Sequence, residues 1–268
     1  MVINKKPRIL TIAGSDPSGG AGIQADLKVI ALLGGYGTSV ITALTAQNTE
    51  GVQGVLPVPP FFVKKQLQAV LSDIDVDAVK TGMLVQSEVI SLVAQMIKKY
   101  KVKKLVVDPV MVSGSGHSLL EGKAVQILKD ELFPIAGLIT PNLSEASVLS
   151  GLPVRTLADM KRAARVIKEK IKGNVLIKGG HLSGAKAAKD LFFDGASFLE
   201  FSSPRIRTSN IHGTGCTFSA AITTYWAQGF PLIDALGKAK AFITKAIAGA
   251  QPVGHGLKPT DPHAGLAY

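Results

Sequence analysis

Short apolar runs alternate along this chain with longer segments whose apolar residues recur every three or four positions. The first pattern predicts buried strands, the second amphipathic helices packed over them. A strand is expected over residues 8–13 and, after a Gly/Ser/Pro loop, a helix over about 22–33. A second strand follows at 39–45, an extended segment at 51–58, and a helix at 60–73 with proline in its first turn. Short buried strands at 77–80 and 104–108 flank a helix at 87–100. The alternation continues with strands at 137–141 and 174–178, and helices near 144–150 and 158–172 between them. In the last of these, Met160, Ala163, Ala164, Ile167 and Ile171 share one face, opposite Lys161, Arg165, Lys168 and Lys172. Strands at 189–193 and 197–201 join through Asp194-Gly195, a dipeptide that favours a hairpin turn. Helices at about 214–228 and 231–250 complete the order.

Strand–helix alternation of this kind predicts an α/β fold in three layers, α/β/α, around a mostly parallel central sheet. Ligands of such sheets bind beyond the carboxyl ends of the strands. The polar residues of interest fall there: Gly14-Ser15-Asp16, Gln47-Asn48, Thr81-Gly82-Met83, Asp108-Pro109, Pro141-Asn142 and Lys178-Gly179-Gly180. With no composition break, linker or internal repeat, one domain over residues 1–268 is expected.

Composition narrows the classes. No apolar run approaches the roughly 18 to 20 residues of a membrane span, and the basic first residues lead into a strand without a cleavage-type site. One cysteine excludes an internal disulfide and suits a reducing, cytoplasmic setting. The net charge of +11 comes from dispersed lysines and arginines without interleaved aromatics. It reads as solubility and attraction for anionic metabolites, with neither nucleic acid nor membrane as partner.

The segment from Asn210 to Ala221 carries the most chemistry. Gly213 and Gly215 open a helix whose free amides and dipole would cradle a phosphate or oxyanion, with Thr214 between them. Cys216 sits in that first turn, where a depressed pKa and partial thiolate character are expected. His212 flanks the turn in a structural or a catalytic role. A GxxxxGK[ST] loop is absent: Gly116 and Gly122 are separated by five residues, and Ala124 stands where Ser or Thr is needed. Gly20-Ala21-Gly22-Ile23-Gln24-Ala25 matches a relaxed dinucleotide pattern, but Gln47 ends the second strand where a ribose-binding carboxylate belongs. The five histidines show no zinc-ligand spacing. Phosphoryl transfer fits the strand-end set better, because it needs charge neutralisation and positioning. Lys178 supplies a point charge beside two glycines, and Asp108 and Glu145 could hold Mg²⁺ with several waters. Each also has a plain structural reading: a snorkelling lysine, a turn former before Pro109, and a first-turn acid.

Taken in order, these segments resemble the bacterial hydroxymethylpyrimidine and phosphomethylpyrimidine kinases of thiamine biosynthesis, in the ribokinase-like superfamily. The resemblance runs from Thr11 to about Ala250 and rests on residues 11–26, 45–49, 80–84, 108–111, 140–146, 178–181 and 212–219. It implies that Gly14, Ala21, Asp26 and Gln47 line a pyrimidine pocket, with Met83 and Val110 against the ring. It further implies that Asn142, Glu145 and Lys178 serve ATP and Mg²⁺, that Gly213, Thr214, Gly215 and Cys216 form the anion hole, and that residues 113–118 cover the substrate. Many ribokinase-like enzymes carry Asp at the position of Cys216, so its role as base or as orienting group stays open. The expected reaction is ATP-dependent phosphorylation of 4-amino-5-hydroxymethyl-2-methylpyrimidine to its monophosphate and then its diphosphate. K⁺ is a further candidate cofactor and a homodimer the expected assembly. A pyridoxal or pyridoxine kinase, or an enzyme acting on both substrates, is the alternative on the same fold. A non-catalytic ligand-binding or dinucleotide-binding protein would leave the strand-end set unexplained.

Overall fold

The computed structural model describes residues 6–111, 122–180, 182, 187–206, 208 and 211–266. Its elements begin with β1 (Arg8–Ser15), α1 (Gly22–Leu32), β2 (Tyr36–Gln47), β3 (Val52–Pro57) and α2 (Pro60–Asp73). Next come β4 (Ala78–Thr81), α3 (Ser87–Lys99), β5 (Leu105–Val107), α4 (Gly122–Ile127) and β6 (Leu138–Ile139). They are followed by α5 (Leu143–Ser150), α6 (Leu157–Lys168), β7 (Asn174–Gly179), β8 (Ala187–Phe193) and β9 (Phe198–Pro204). A short β10 (Ile211–His212), α7 (Thr214–Ala227), α8 (Leu232–Ala248) and β11 (Lys258–Pro259) end the order.

Nine strands form one sheet in the order β3-β2-β1-β4-β5-β6-β7-β8-β9. The six from β2 to β7 run parallel, while β3, β8 and β9 are antiparallel at the two edges. Successive strand residues point to opposite faces, so the parallel strands divide their apolar side chains between two cores. Leu105 and Val107 join the layer built on α2 to α6, whereas Val106, Leu138 and Leu176 join the layer of α1, α7 and α8. This is the expected three-layer architecture. Among the described residues no helix is long and apolar enough to cross a membrane.

Differences from the sequence reading have local causes. β2 is longer than residues 39–45, because it pairs with β1 from Tyr36 and then runs on to pair with β3. α6 stops at Lys168 rather than 172, where the Lys168 ammonium donates to the carbonyls of Lys172 and Gly173 and closes the helix end. Its apolar face is buried as expected, and a Thr156–Asp159 capping box starts it. The helical turns from 122 to 135 and the β10–β11 pair were not legible in the pattern.

Candidate active site

At the carboxyl ends of the parallel strands, α7 begins at Gly213, which holds φ at 79°. A Cβ there would strike the Gly20 carbonyl, so the turn demands glycine. No side chain caps the helix, and the first backbone bond back to Gly213 comes from Thr217. The amides of Thr214, Gly215 and Cys216 therefore have no helical acceptor. A Cβ on Gly215 would lie 3.3 Å from Lys178 Nζ and 3.5 Å from Asp108 Oδ2. Free amides, an ammonium and a carboxylate thus meet around one glycine.

Lys178 ends β7 and donates to Asp108 Oδ1 at 2.7 Å. Asp108, at the end of β5, also accepts from Thr140 at 3.1 Å and from Ser219 of α7 at 3.2 Å. Burial opposes its charge, but Lys178 and Lys80 outweigh burial and hold the carboxyl below the usual carboxylate range. Lys178 is itself held charged by Asp108 and Glu145 against its burial. Asn142 and Glu145 form a capping box on α5: Asn142 N donates to Glu145 Oε2 at 2.8 Å, and Glu145 N to Asn142 Oδ1 at 2.9 Å. Burial, with Asp108 nearby, pushes the Glu145 carboxyl up to about 7 although Lys178 pulls it down. Asp108, paired with Lys178, and Glu145, whose charge also acts on Lys178, suit a magnesium ion held mainly by phosphate oxygens and water. Among the described residues no group of three or more His, Cys, Asp or Glu forms an all-protein metal cage. The two glycines after Lys178 differ: Gly179 packs against the Lys189 carbonyl and Met160, while Gly180 faces open space.

Asp26 lies deeper than the pocket reading implies. It is fully buried, with Lys80 Nζ 2.7 and 3.0 Å from its two oxygens and the Thr11 hydroxyl at 2.5 Å. Burial raises the Asp26 carboxyl, and Asp26, Cys216 and Asp108 together raise Lys80 against the burial that opposes its charge. Cys216 shares this environment and corrects the expected thiolate. Burial pushes its thiol up to about 11, and the nearby Asp26 and Asp108 charges add to that. Lys80 and the Gly22 amide pull the other way without prevailing. The thiol is neutral near pH 7.

A third cluster joins strand ends distant in sequence. His212 Nε2 lies 3.2 Å from Asp16 Oδ2 and 3.1 Å from Gln47 Nε2. Met83 packs over Gly14, where a Cβ would meet its methyl carbon. Gly14 is buried, while Ala21, Gln47, Met83 and Val110 are partly open. The covering segment 113–118 lies outside the described residues. Sequence reasoning missed Lys80, Thr140 and Ser219 as partners of the carboxylates; a lysine inside a short, wholly buried apolar strand was the available signal for Lys80. It also missed Asp190 and Lys240, whose buried pair at 2.7 Å anchors the Gly179 amide beside Lys178.

Comparison with known proteins gives the family. The phosphomethylpyrimidine kinase family profile matches residues 16–261. The chain is 54% identical over 94% of its length to thiamine biosynthesis bifunctional protein ThiED of Geobacter sulfurreducens, covering 51% of that protein. It spans about half the length of the bifunctional relatives it matches. Against hydroxymethylpyrimidine/phosphomethylpyrimidine kinase of Rhizobium meliloti it is 49% identical, covering 93% of this chain and 94% of the other. The pyridoxal kinase of Staphylococcus aureus, solved with AMP-PCP and pyridoxal, superposes with a TM-score of 0.90 at 38% identity, over 97% of this chain and 95% of that one. With the profile spanning most of the sequence and a ribokinase-like sheet carrying its glycine turn, lysine and carboxylates together, the chain belongs to the phosphomethylpyrimidine kinase family.

Proposed function

We propose that the protein transfers the terminal phosphoryl group of ATP to the hydroxymethyl group of 4-amino-5-hydroxymethyl-2-methylpyrimidine, and then phosphorylates that monophosphate to the diphosphate. The observation that carries this reading is the meeting of the α7 amides, Lys178 and Asp108 around Gly215. Phosphoryl transfer spreads charge over the equatorial oxygens, and preorganised amides and an ammonium stabilise that charge at no cost in reorganisation. Lys178, held charged by Asp108 and Glu145, would engage phosphate. Asp108 and Glu145 would hold Mg²⁺, which supplies charge neutralisation at the phosphates. Asn142, which caps α5 beside them, belongs to the same nucleotide region. Gly14, Ala21, Gln47, Met83 and Val110 would line the pyrimidine, with Asp26 acting from behind through Lys80.

A neutral Cys216 thiol suits orientation of the hydroxymethyl group rather than proton abstraction. A loose transition state needs little base early in the reaction. The second reading, pyridoxal phosphorylation, is favoured by the superposition on the S. aureus pyridoxal kinase over nearly the whole chain. For assembly, the reading is a homodimer through the open β3 edge, where Leu44, Leu56, Phe61 and Phe62 are exposed.

Purified protein with Mg-ATP is expected to convert the pyrimidine alcohol to its diphosphate, with a specificity constant above that for pyridoxal. Product analysis by chromatography checks this. Turnover of pyridoxal alone would transfer the assignment to the second reading, and turnover of neither compound would end both.

A further inference from the structure

The His212 imidazole makes two contacts through a single nitrogen, and only one proton arrangement satisfies both. Asp16 accepts at Oδ1 from the Ser18 amide and hydroxyl at 2.9 and 2.7 Å, and at Oδ2 from the Ala21 amide at 2.8 Å. Burial opposes its charge, but His212 and these bonds hold the carboxyl below its ordinary value, so Asp16 only accepts. His212 Nε2, 3.2 Å from Asp16 Oδ2, must then carry hydrogen. The ring lies directly against Gly20, where a Cβ would come within 2.7 Å of its Cδ2. A protonated Nε2 has no lone pair to offer the Gln47 amide 3.1 Å away.

The rest of the network agrees. Thr45 Oγ1 lies 2.9 Å from the Ser15 carbonyl and 3.2 Å from the outer end of the Gln47 amide. With the amide nitrogen toward His212, two N–H donors oppose each other and one Thr45 hydrogen faces two carbonyl oxygens. With the amide oxygen toward His212, that oxygen and Asp16 share the Nε2 hydrogen, one amide N–H donates to Thr45, Thr45 donates to Ser15, and no two donors are opposed.

We propose that Asp16 fixes His212 with its proton on Nε2, and that His212 thereby sets the donor and acceptor ends of the Gln47 amide, making Asp16 and His212 positioning residues for ring specificity. This rests on the reading that Gln47 faces the substrate ring. A heteroaromatic edge is read by the order of its donors and acceptors, so an amide with its ends exchanged selects a different ring.

The test has two arms. In ¹⁵N-histidine-labelled protein without ligand, long-range ¹H–¹⁵N spectra report which His212 nitrogen bears hydrogen, with the resonance assigned by its loss in His212→Asn. The expected result is a protonated Nε2 in the parent and a change of tautomer in Asp16→Asn. An unprotonated Nε2 in the parent overturns the proposal whether or not Asp16→Asn folds. In the kinetic arm, His212→Asn is expected to lower the ratio of kcat/KM for the pyrimidine alcohol to that for pyridoxal by about tenfold, mainly through KM, the size of one misdirected hydrogen bond. A ratio unchanged to within about twofold overturns the specificity role. If the parent phosphorylates neither compound, the proposed activity fails, and the spectra alone decide the proton arrangement.

Discussion

Cys216 shows how far a local reading carries at the scale of one residue. Glycines and a helix start argue for a stabilised thiolate, because the nearest amides favour an anion. The structure adds what adjacency in sequence does not reveal: burial opposes the charge, and Asp26 from α1 and Asp108 just after β5 lie close enough to oppose a third negative charge. The folded thiol therefore titrates near 11, above its ordinary range. Only the thiolate alkylates, so below that value the reactive fraction grows about tenfold for each pH unit. In the unliganded protein, iodoacetamide labelling of Cys216 is expected to be slow at neutral pH and to rise without a plateau up to about pH 11. Mass spectrometry of quenched samples measures it. A rate that levels off near pH 7 would restore the thiolate reading. Gly213 and Lys178 were legible one by one, since strand ends and glycine turns are local signals. That they share one rim with Asp108 followed from the strand ends, but the direct Lys178–Asp108 ion pair did not, because residues 70 positions apart pair only through the sheet order.

At the scale of elements, the central sheet was written plainly in the alternation of apolar runs, as was the β8–β9 hairpin at one edge, but the other edge was not. Antiparallel β3 read only as an extended segment, because most of its residues are exposed and its pattern lacks a buried run. That exposure has a consequence. Leu44 and Leu56 are cross-strand partners, 46% and 66% exposed, and Phe61 and Phe62 follow at the start of α2 at 66% and 50%. An edge strand with free backbone groups beside exposed large apolar side chains is a hazard unless something covers it. A second copy of the chain would do so. Leu56→Lys combined with Phe61→Lys is expected to convert a dimer into a monomer while leaving the far-ultraviolet circular dichroism unchanged. Sedimentation velocity of both proteins checks this. A parent that sediments as a monomer, or a variant that remains dimeric, would remove the β3 edge from consideration.

On the scale of the whole molecule, the charge of +11 concerns encounter rather than fold. Its consequence differs between the two proposed steps. The pyrimidine alcohol is neutral near pH 7 and gains nothing from a positive field. Its monophosphate carries close to two negative charges, which the α7 amides and Lys178 can receive. Salt shortens the reach of that field: the screening length falls from about 14 Å at 0.05 M ionic strength to about 4 Å at 0.5 M. With Mg-ATP saturating in both assays, kcat/KM for the monophosphate is expected to fall several-fold across that range. The value for the alcohol should change by less than about twofold, since both steps share the nucleotide site and the phosphoryl donor and only the monophosphate brings charge to the acceptor site. Initial-rate measurements on both acceptors at matched salt decide it. Equal loss for the two would mean that salt acts on the fold or on nucleotide binding. Equal insensitivity would mean that the dispersed lysines provide solubility alone, leaving capture of the monophosphate to short-range contacts at the glycine turn.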